Sequence, residues 1–222
     1  MKNSLDNQAA YWDAVAKGKT FTHPLFVERF DNRLDKAARV LDIGCGYGRT
    51  LNALYDLGYR NLLGLDISEK MVQRGRKAYP HLDLRGLTPD AWSTLKGSVD
   101  MVILFAVLTC IPTNSGQMAL VDKIEAVLKP GGLLYVSDYW LQSDARNRLR
   151  YRAAADKYGV YGVFELPEGA VFRHHDRPWV ESLFARFAVL ESDDIEVTTM
   201  NGHSSLGFQY VGRKMKGTCD DR

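Results

Sequence analysis

The sequence lacks most of the features that would place it outside ordinary globular proteins. Its three cysteines, Cys45, Cys110 and Cys219, are odd in number and unrelated in spacing, which argues against a disulfide framework or a zinc site and fits reduced thiols. Cys45 and Cys110 read as core residues and Cys219 as part of the tail. No metal site is expected. An excess of one charge is missing too: 29 basic and 27 acidic side chains are interspersed, for a net charge of +2, so nothing advertises a nucleic-acid partner. The longest apolar run, Met101 to Ile111, falls far short of the ~20 residues that span a bilayer, and no membrane partner is expected. The opening MKNSLDNQAAYW has a lysine but neither an apolar core nor a small-residue cleavage site. It therefore reads as no secretory signal, and the protein as cytoplasmic. Internal repeats and low-complexity tracts are absent, and nothing specifies an oligomeric state.

What is present is a chain of 222 residues, enough for one domain that buries roughly seven-tenths of its unfolded surface. From Arg39 to Asp138 short β-rich runs alternate with helical stretches, the rhythm of a parallel sheet covered on both faces. Strands are predicted at Val40 to Gly44, Leu62 to Ile67, Leu82 to Leu87, Asp100 to Val107 and Leu133 to Asp138. The helices between them are marked by their ends. Gly58 closes the first, Ser68 caps the second and Pro80 stops it, and Asn114 caps a longer one that Lys129, Pro130, Gly131 and Gly132 break. Beyond Asp138 a basic helix is predicted at Leu141 to Tyr158, an aromatic loop at Gly159 to Phe172 and a helix at Arg177 to Phe187. Val189 to Thr199 and Leu206 to Gly212 then read as a hairpin around Asn201, Gly202 and His203. The expected architecture is an α/β, Rossmann-like, doubly wound seven-stranded sheet with a terminal antiparallel hairpin. It divides into an amino-terminal helical cap at 1–38, a ligand-binding half at 39–138, a lid insertion at 139–187 and the hairpin at 188–215. Lys216 to Arg222 reads as a frayed end.

The chemistry-bearing stretch is Val40 to Arg49, VLDIGCGYGR, in which a buried strand runs directly into a glycine turn that opens a helix. Gly44, Gly46 and Gly48 alternate, Asp42 precedes them and Asp66 ends the next strand. Bare backbone at such a turn can lie against a ligand. A nicotinamide site would show G-x-G-x-x-G instead. Over Arg39 to Asp138 the chain resembles the class I S-adenosylmethionine-dependent methyltransferases of the small-molecule type. The resemblance implies S-adenosylmethionine as cofactor, with Asp42 near its amino group, Gly44, Cys45 and Gly46 against it, and Asp66 on the ribose hydroxyls. Ile67 and Met71 correspond to the residues that sandwich adenine, with ordinary core packing as the alternative. Leu87 stands where the family carries an acid at the adenine edge, leaving its backbone, Thr88 or Asp90 as substitutes. Phe105 and Ala106 lie where the family passes close to the sulfonium, and Tyr11 corresponds to an aromatic residue over the methionine moiety.

Phe105 to Leu108 offers no polar group to act as a base. The candidates elsewhere are Tyr11, His23, Asp138, Tyr139, His174 and His175. Asp138 is favoured because it ends a strand at the ligand-binding edge, the alternative being a helix cap. His174 and His175 beside Asp176 form either a base with an orienting acid or a surface pair ahead of a capped helix. His23 precedes Pro24 at an expected helix start, where a structural role is the alternative. Tyr11, Asp138 and His174 are the expected catalytic residues. Arg146, Arg148, Arg150 and Arg152 read as a solvated face, with one of them or Arg173 as a clamp for a substrate carboxylate. The expected reaction is in-line methyl transfer to nitrogen or oxygen of a small metabolite. Two rivals remain at this stage. One is a cyclase that releases methylthioadenosine, like the azetidine-2-carboxylate synthases of this fold; the other is a non-catalytic binding module.

Overall fold

The computed structural model describes residues 5–200 and 202–215. The readings that fall on the first four residues, on Asn201 and on Lys216 to Arg222 with Cys219 lie outside the described residues. Five parallel strands come first: β1 (Val40–Ile43), β2 (Leu62–Asp66), β3 (Asp83–Gly86), β4 (Val99–Phe105) and β5 (Leu128–Tyr139). Between them and before them run α1 (Ala9–Val15), α2 (Arg49–Asp56), α3 (Glu69–Ala78), α4 (Pro89–Thr94) and α5 (Asn114–Val127). The rest of the chain adds α6 (Ala145–Tyr158), a small hairpin of β6 (Val163–Glu165) and β7 (Val171–Arg173), α7 (Arg177–Phe184), β8 (Phe187–Thr198) and β9 (Ser204–Lys214).

The seven-stranded sheet has the order β3-β2-β1-β4-β5-β9-β8, and only β9 and β8 run antiparallel to their neighbours. Strand side chains alternate between faces, so β1 sends Leu41 and Ile43 into one apolar cluster with Val102, Leu104, Val121 and Ile124. Val40 goes to the opposite cluster with Leu51, Leu54, Met101 and Ile103. Asp42 shares Val40's side by the same alternation. The strand order reverses between β1 and β4, and a crevice opens there at the carboxyl ends, where ligands bind in sheets of this kind.

Several predicted details shift. Thr113, not Asn114, caps α5, its hydroxyl accepting from Gly116 N at 2.9 Å. Ser68 caps α3 as expected, accepting from Met71 N at 3.2 Å. The short helix α4 has no counterpart in the sequence reading. The supposed aromatic loop at 159–172 closes into β6 and β7, with Phe164 paired to Phe172. The amino terminus holds one α-helix, followed by an extended strap at 19–26 and two single 3-10 turns, Val27–Arg29 and Asp31–Arg33. Backbone accounting explains the strap. Its polar groups are met by side chains: Tyr47 OH accepts from Phe21 N at 3.4 Å, Tyr135 OH from Phe26 N at 3.2 Å, and Gln209 Nε2 donates to Pro24 O at 2.8 Å. A helix there is unnecessary, and Pro24 lacks the N–H to continue one.

Helix α3 packs so closely that a Cβ at Gly75 would lie 2.4 Å from Leu84 Cδ1 and 2.8 Å from the carbonyl oxygen of Tyr47. Alanine normally strengthens a helix interior by about 1 kcal/mol over glycine. Here overpacking, which typically costs 1 to 3 kcal/mol, outweighs that gain. Gly75→Ala is expected to lower the urea midpoint, a net destabilisation of up to about 2 kcal/mol; an unchanged or raised midpoint would show that β3 yields freely.

Candidate functional site

One cavity of about 450 Å³ occupies the crevice. Its floor is the glycine turn after β1. Gly44 and Gly46 have φ of +69° and +55°, the left-handed region that glycine enters without strain. Their lack of a side chain serves neighbouring residues. A Cβ on Gly44 would stand 2.5 Å from Val107 Cγ2, and one on Gly46 would stand 2.1 Å from the ring of Phe21. The glycines therefore admit the residues that form the cavity wall, rather than reserving ligand space directly. Ala106 also lines the cavity with φ of +53°, a conformation that costs an alanine roughly 1 to 2 kcal/mol.

The two acids of the floor differ. Asp66 accepts from Gly46 N at 2.7 Å through one oxygen and from Ser68 N at 2.8 Å through the other. Burial raises its pKa, and those two donors oppose the rise. Each oxygen keeps a second lone pair for a ligand donor. Asp42 is 3% exposed, lines the cavity, and among the described residues receives no hydrogen bond. Burial, followed by the charge of Asp66, pushes its carboxyl up to about 8. A buried carboxylate without a donor is costly, so this position calls for a ligand that brings one, ideally a cation. An acid needing a cationic donor beside an acid with free lone pairs suits a molecule that carries an ammonium group and a diol. Ile67 supports the same view, because it borders the cavity while 42% exposed; Met71 is nearly fully buried beneath it.

The cavity collects Asp42, Gly44, Cys45, Asp66, Ile67, Met71, Leu87, Phe105, Ala106, Tyr11 and His174. Gly46 and Asp138 are outside its wall. Gly46 stands behind it, donating to Asp66. Asp138 is fully buried, and its oxygens accept from Tyr139 N at 2.8 Å and Thr109 N at 3.1 Å. Burial raises its carboxyl to about 7 against those donors. Its position secures the 3-10 turn Leu108–Cys110 after β4 and reaches no ligand space. The cap of the following helix falls to Asp144, which accepts from Asn147 N at 3.0 Å. At Leu87, expected at the adenine edge, the backbone N already donates to Asp66 O at 2.7 Å, and Thr88 and Asp90 do not border the cavity.

His174 and His175 are buried, which overturns the surface reading. His174 Nδ1 lies 2.6 Å from Tyr151 OH, and its imidazole is held neutral by burial and by the charge of Arg150. His175 faces away from the cavity, its ring nitrogens at Gln117 Nε2 and at the carbonyl of Tyr139. Asp176 caps α7 through Trp179 N at 2.8 Å. Arg173 is spent on Pro112 O and Asn114 Oδ1 and cannot clamp a substrate. Arg146 and Arg150 do border the cavity.

His23 stands out more sharply in the fold than in the sequence. It lies in the cavity wall with 4% exposure, Nδ1 is 2.8 Å from Ser137 Oγ, and Nε2 is buried without a partner. Its ring sits edge-on to Tyr139 at 4.7 Å, and Arg49 donates to its carbonyl oxygen. Burial and the Arg49 charge lower its pKa to about 3. No local sequence signal announces this, because Ser137 is 114 residues away.

A methyltransferase-domain family model matches residues 40–132. A ubiquinone biosynthesis O-methyltransferase of Xanthomonas oryzae pv. oryzae is 30% identical over 211 residues, covering 87% of this chain and 82% of its own length. A trans-aconitate 2-methyltransferase of an Azoarcus species is 30% identical over 142 residues, 62% of this chain and 54% of that protein. A solved S-adenosylmethionine-dependent methyltransferase from Methanosarcina mazei superposes with a TM-score of 0.81 at 23% identity, covering 87% of this chain and 100% of that one.

A raised Asp42 pKa has a definite sign. Protonated Asp42 is favoured in the free fold, so the free protein loses stability as pH climbs from the ordinary aspartate range through about 8. Asp42→Asn is expected to melt at a higher temperature than the wild type at pH 9, with the difference shrinking toward pH 4. The same variant is expected to bind S-adenosylhomocysteine at least tenfold more weakly by calorimetry. Equal melting at pH 9, or undiminished affinity, would refute the assignment.

Proposed function

Because this chain belongs to the class I S-adenosylmethionine-dependent methyltransferases, we propose that it methylates a nitrogen or oxygen of a small metabolite held beneath the 139–187 insertion. The single observation that carries this reading is the continuity of the cavity. It runs from Asp42 and Asp66 at the glycine turn to Phe164, Phe172 and His174 of the lid, so cofactor and acceptor share one continuous space. When bound, S-adenosylmethionine supplies an electrophilic methyl carbon.

The protein's own contribution is mostly placement. Asp42 holds the ammonium group, Asp66 the ribose diol, and Ile67 with Met71 the adenine faces. Phe105, Ala106 and Val107 present apolar atoms that keep water away from the reacting carbon, and Tyr11 covers the cavity from α1. The acceptor meets polar atoms at His23 Nε2 and on His174. A neutral imidazole at His23 takes a hydrogen bond from the acceptor's N–H or O–H and so turns its lone pair toward the methyl group. Alignment of this kind accounts for much of the rate that a preactivated methyl donor needs. Arg49 opposes a lasting positive charge on His23, which makes it a group that orients the nucleophile and passes its proton on.

One observation favours the cyclase as a second reading. Asp42, with its carboxyl pushed up to about 8, is suited to accept a proton from an adjacent ammonium ion. In that reading S-adenosylmethionine is the only substrate. Its amino nitrogen bonds to the γ-carbon, the γ-carbon–sulfur bond breaks with its electron pair leaving on methylthioadenosine, and the proton goes to Asp42.

Purified protein incubated with S-adenosylmethionine alone is expected to yield no methylthioadenosine by chromatography. Labelled methyl transfer is expected once an acceptor from a panel of small amines, phenols and acids is added. With that acceptor, His23→Gln is expected to lower kcat by roughly 10² while leaving S-adenosylhomocysteine affinity within twofold. Methylthioadenosine without an acceptor would replace the transfer reading with the cyclase. An unchanged kcat in the His23 variant would remove that residue from the mechanism.

A further inference from the structure

The lid end of the cavity has a charge character opposite to its floor. Helix α6 turns Arg146, Asn147 and Arg150 toward it. Arg150 lies with its guanidinium carbon 3.4 Å from the centroid of Phe164, so the ring covers one face of the fork. Its Nε is buried and has no hydrogen-bond partner, and Asn147 Oδ1 beside it is likewise unpartnered. Among the described residues no carboxylate lies within ion-pair distance of Arg146 or Arg150. The acids that border the cavity have other hydrogen-bonding or lining roles, and of them Asp144 acts on Arg150 only through space. Asp42 and Asp66 form the floor, Asp6 accepts from Thr113 N and Oγ1, and Asp144 accepts from the Asn147 backbone and side chain. Arg150 is met by the uncharged Phe164 ring and His174 from other elements, by the Tyr151 hydroxyl of its own helix, and through space by the charges of Arg146 and Asp144 at the head of that helix.

Desolvation outweighs what the Tyr151 hydroxyl and the Asp144 charge return, and lowers the Arg150 pKa, so a half-buried guanidinium with no carboxylate at ion-pair distance is an expensive arrangement. Stacking on a ring fixes the plane of the fork and leaves its edge donors pointing into the space beside the ring. That geometry matches the two oxygens of a carboxylate in a single plane. A phosphate dianion would need more donors than one stacked guanidinium and an exposed Arg146 supply. The walls next to the fork are aromatic, with Phe164 beside Phe172 and Phe172 packed edge-on against Tyr11 and Trp12, so the body attached to the acid is apolar.

We infer that the lid end of the cavity is a carboxylate subsite, in which Arg150, flanked by Arg146 and Asn147, binds the acidic group of an aryl- or alkyl-carboxylic acid acceptor. This rests on the methyl-transfer reading, since it assigns the acid to the acceptor. The subsite faces the cofactor floor across the cavity. A carboxylate held there leaves the far end of the acceptor directed toward His23 and the methyl group, and so selects which heteroatom is methylated.

The test uses phenylacetate and phenylacetamide as probes, titrated calorimetrically into protein saturated with S-adenosylhomocysteine. Wild type is expected to bind phenylacetate at least tenfold more tightly than the amide. Arg150→Met should abolish that preference, and Arg150→Lys, which keeps the charge without the fork, should retain part of it. S-adenosylhomocysteine affinity serves as the control for folding and is expected to stay within twofold in both variants. Equal binding of the two probes, or no binding of either to the saturated wild type, would overturn the subsite. So would a selective loss of S-adenosylhomocysteine affinity in Arg150→Met, since that would give Arg150 to the cofactor's own carboxylate. Failure of wild type to bind S-adenosylhomocysteine at all would overturn the cofactor site beneath it instead, so the two failures are told apart.

Discussion

Asp66 ties the site together. Its two oxygens accept one backbone N–H from the glycine turn, at Gly46, and one from the start of α3, at Ser68. A single buried carboxylate therefore joins the ends of β1 and β2 to the next helix. Hydrogen bonds to a charged acceptor are worth about 1.5 to 3 kcal/mol each, which offsets the cost of burying the acid. The tie extends outward, because Ser68 Oγ donates to Asp13 of α1 at 2.6 Å. Through that bond the helix carrying Tyr11 and Trp12 is referenced to the same acid that borders the cavity.

The opposite wall depends on polar side chains in an unusual place. Tyr135, Ser137 and Gln209 lie in the middle of the sheet and are fully buried. Each is matched across to the amino-terminal strap: Ser137 to His23, Gln209 to Pro24 O, Tyr135 to Phe26 N and, within the sheet, to Gln209 at 2.5 Å. Buried polar groups of this kind specify a geometry when fully paired and are costly otherwise. Here they hold an irregular segment in one path and deliver His23 to the cavity with its Nε2 unpaired. A strap held by apolar contacts alone would slide.

The lid completes the enclosure by the same combination of pairing and packing. Gln8 bridges three segments, donating to Cys110 O and Val171 O and accepting from Val171 N. This sutures the start of α1 to β7 and to the turn after β4. Around that suture Tyr151, Phe164 and Phe172 form a small apolar cluster of their own. The result is a partly open cavity with Asp42 and Asp66 at one end and Arg146 and Arg150 at the other.

Much of this was legible in the chain because it is written locally. The alternation of Val40, Leu41, Asp42 and Ile43, the glycine turn, Asp66 at the next strand end and the capping Ser68 are short-range patterns. They suffice for the doubly wound sheet, the cofactor and the terminal hairpin. Other assignments needed distances along the chain that no local pattern encodes. Asp138 ends a strand at the right edge, yet its oxygens are taken by main-chain donors of the next residue and of the turn after β4. His174 and His175 sit beside a capped helix like surface residues, yet a hairpin hidden in an aromatic stretch buries them. His23 becomes a wall residue only through Ser137, and Arg150 loses its solvated face only when Phe164 stacks against it. By itself the sequence determined fold, cofactor and floor, because secondary-structure periodicity and turn chemistry act between near neighbours. Only the tertiary structure decided which polar atoms border the cavity and which are buried in pairs elsewhere, because burial and pairing are set by residues a hundred positions apart.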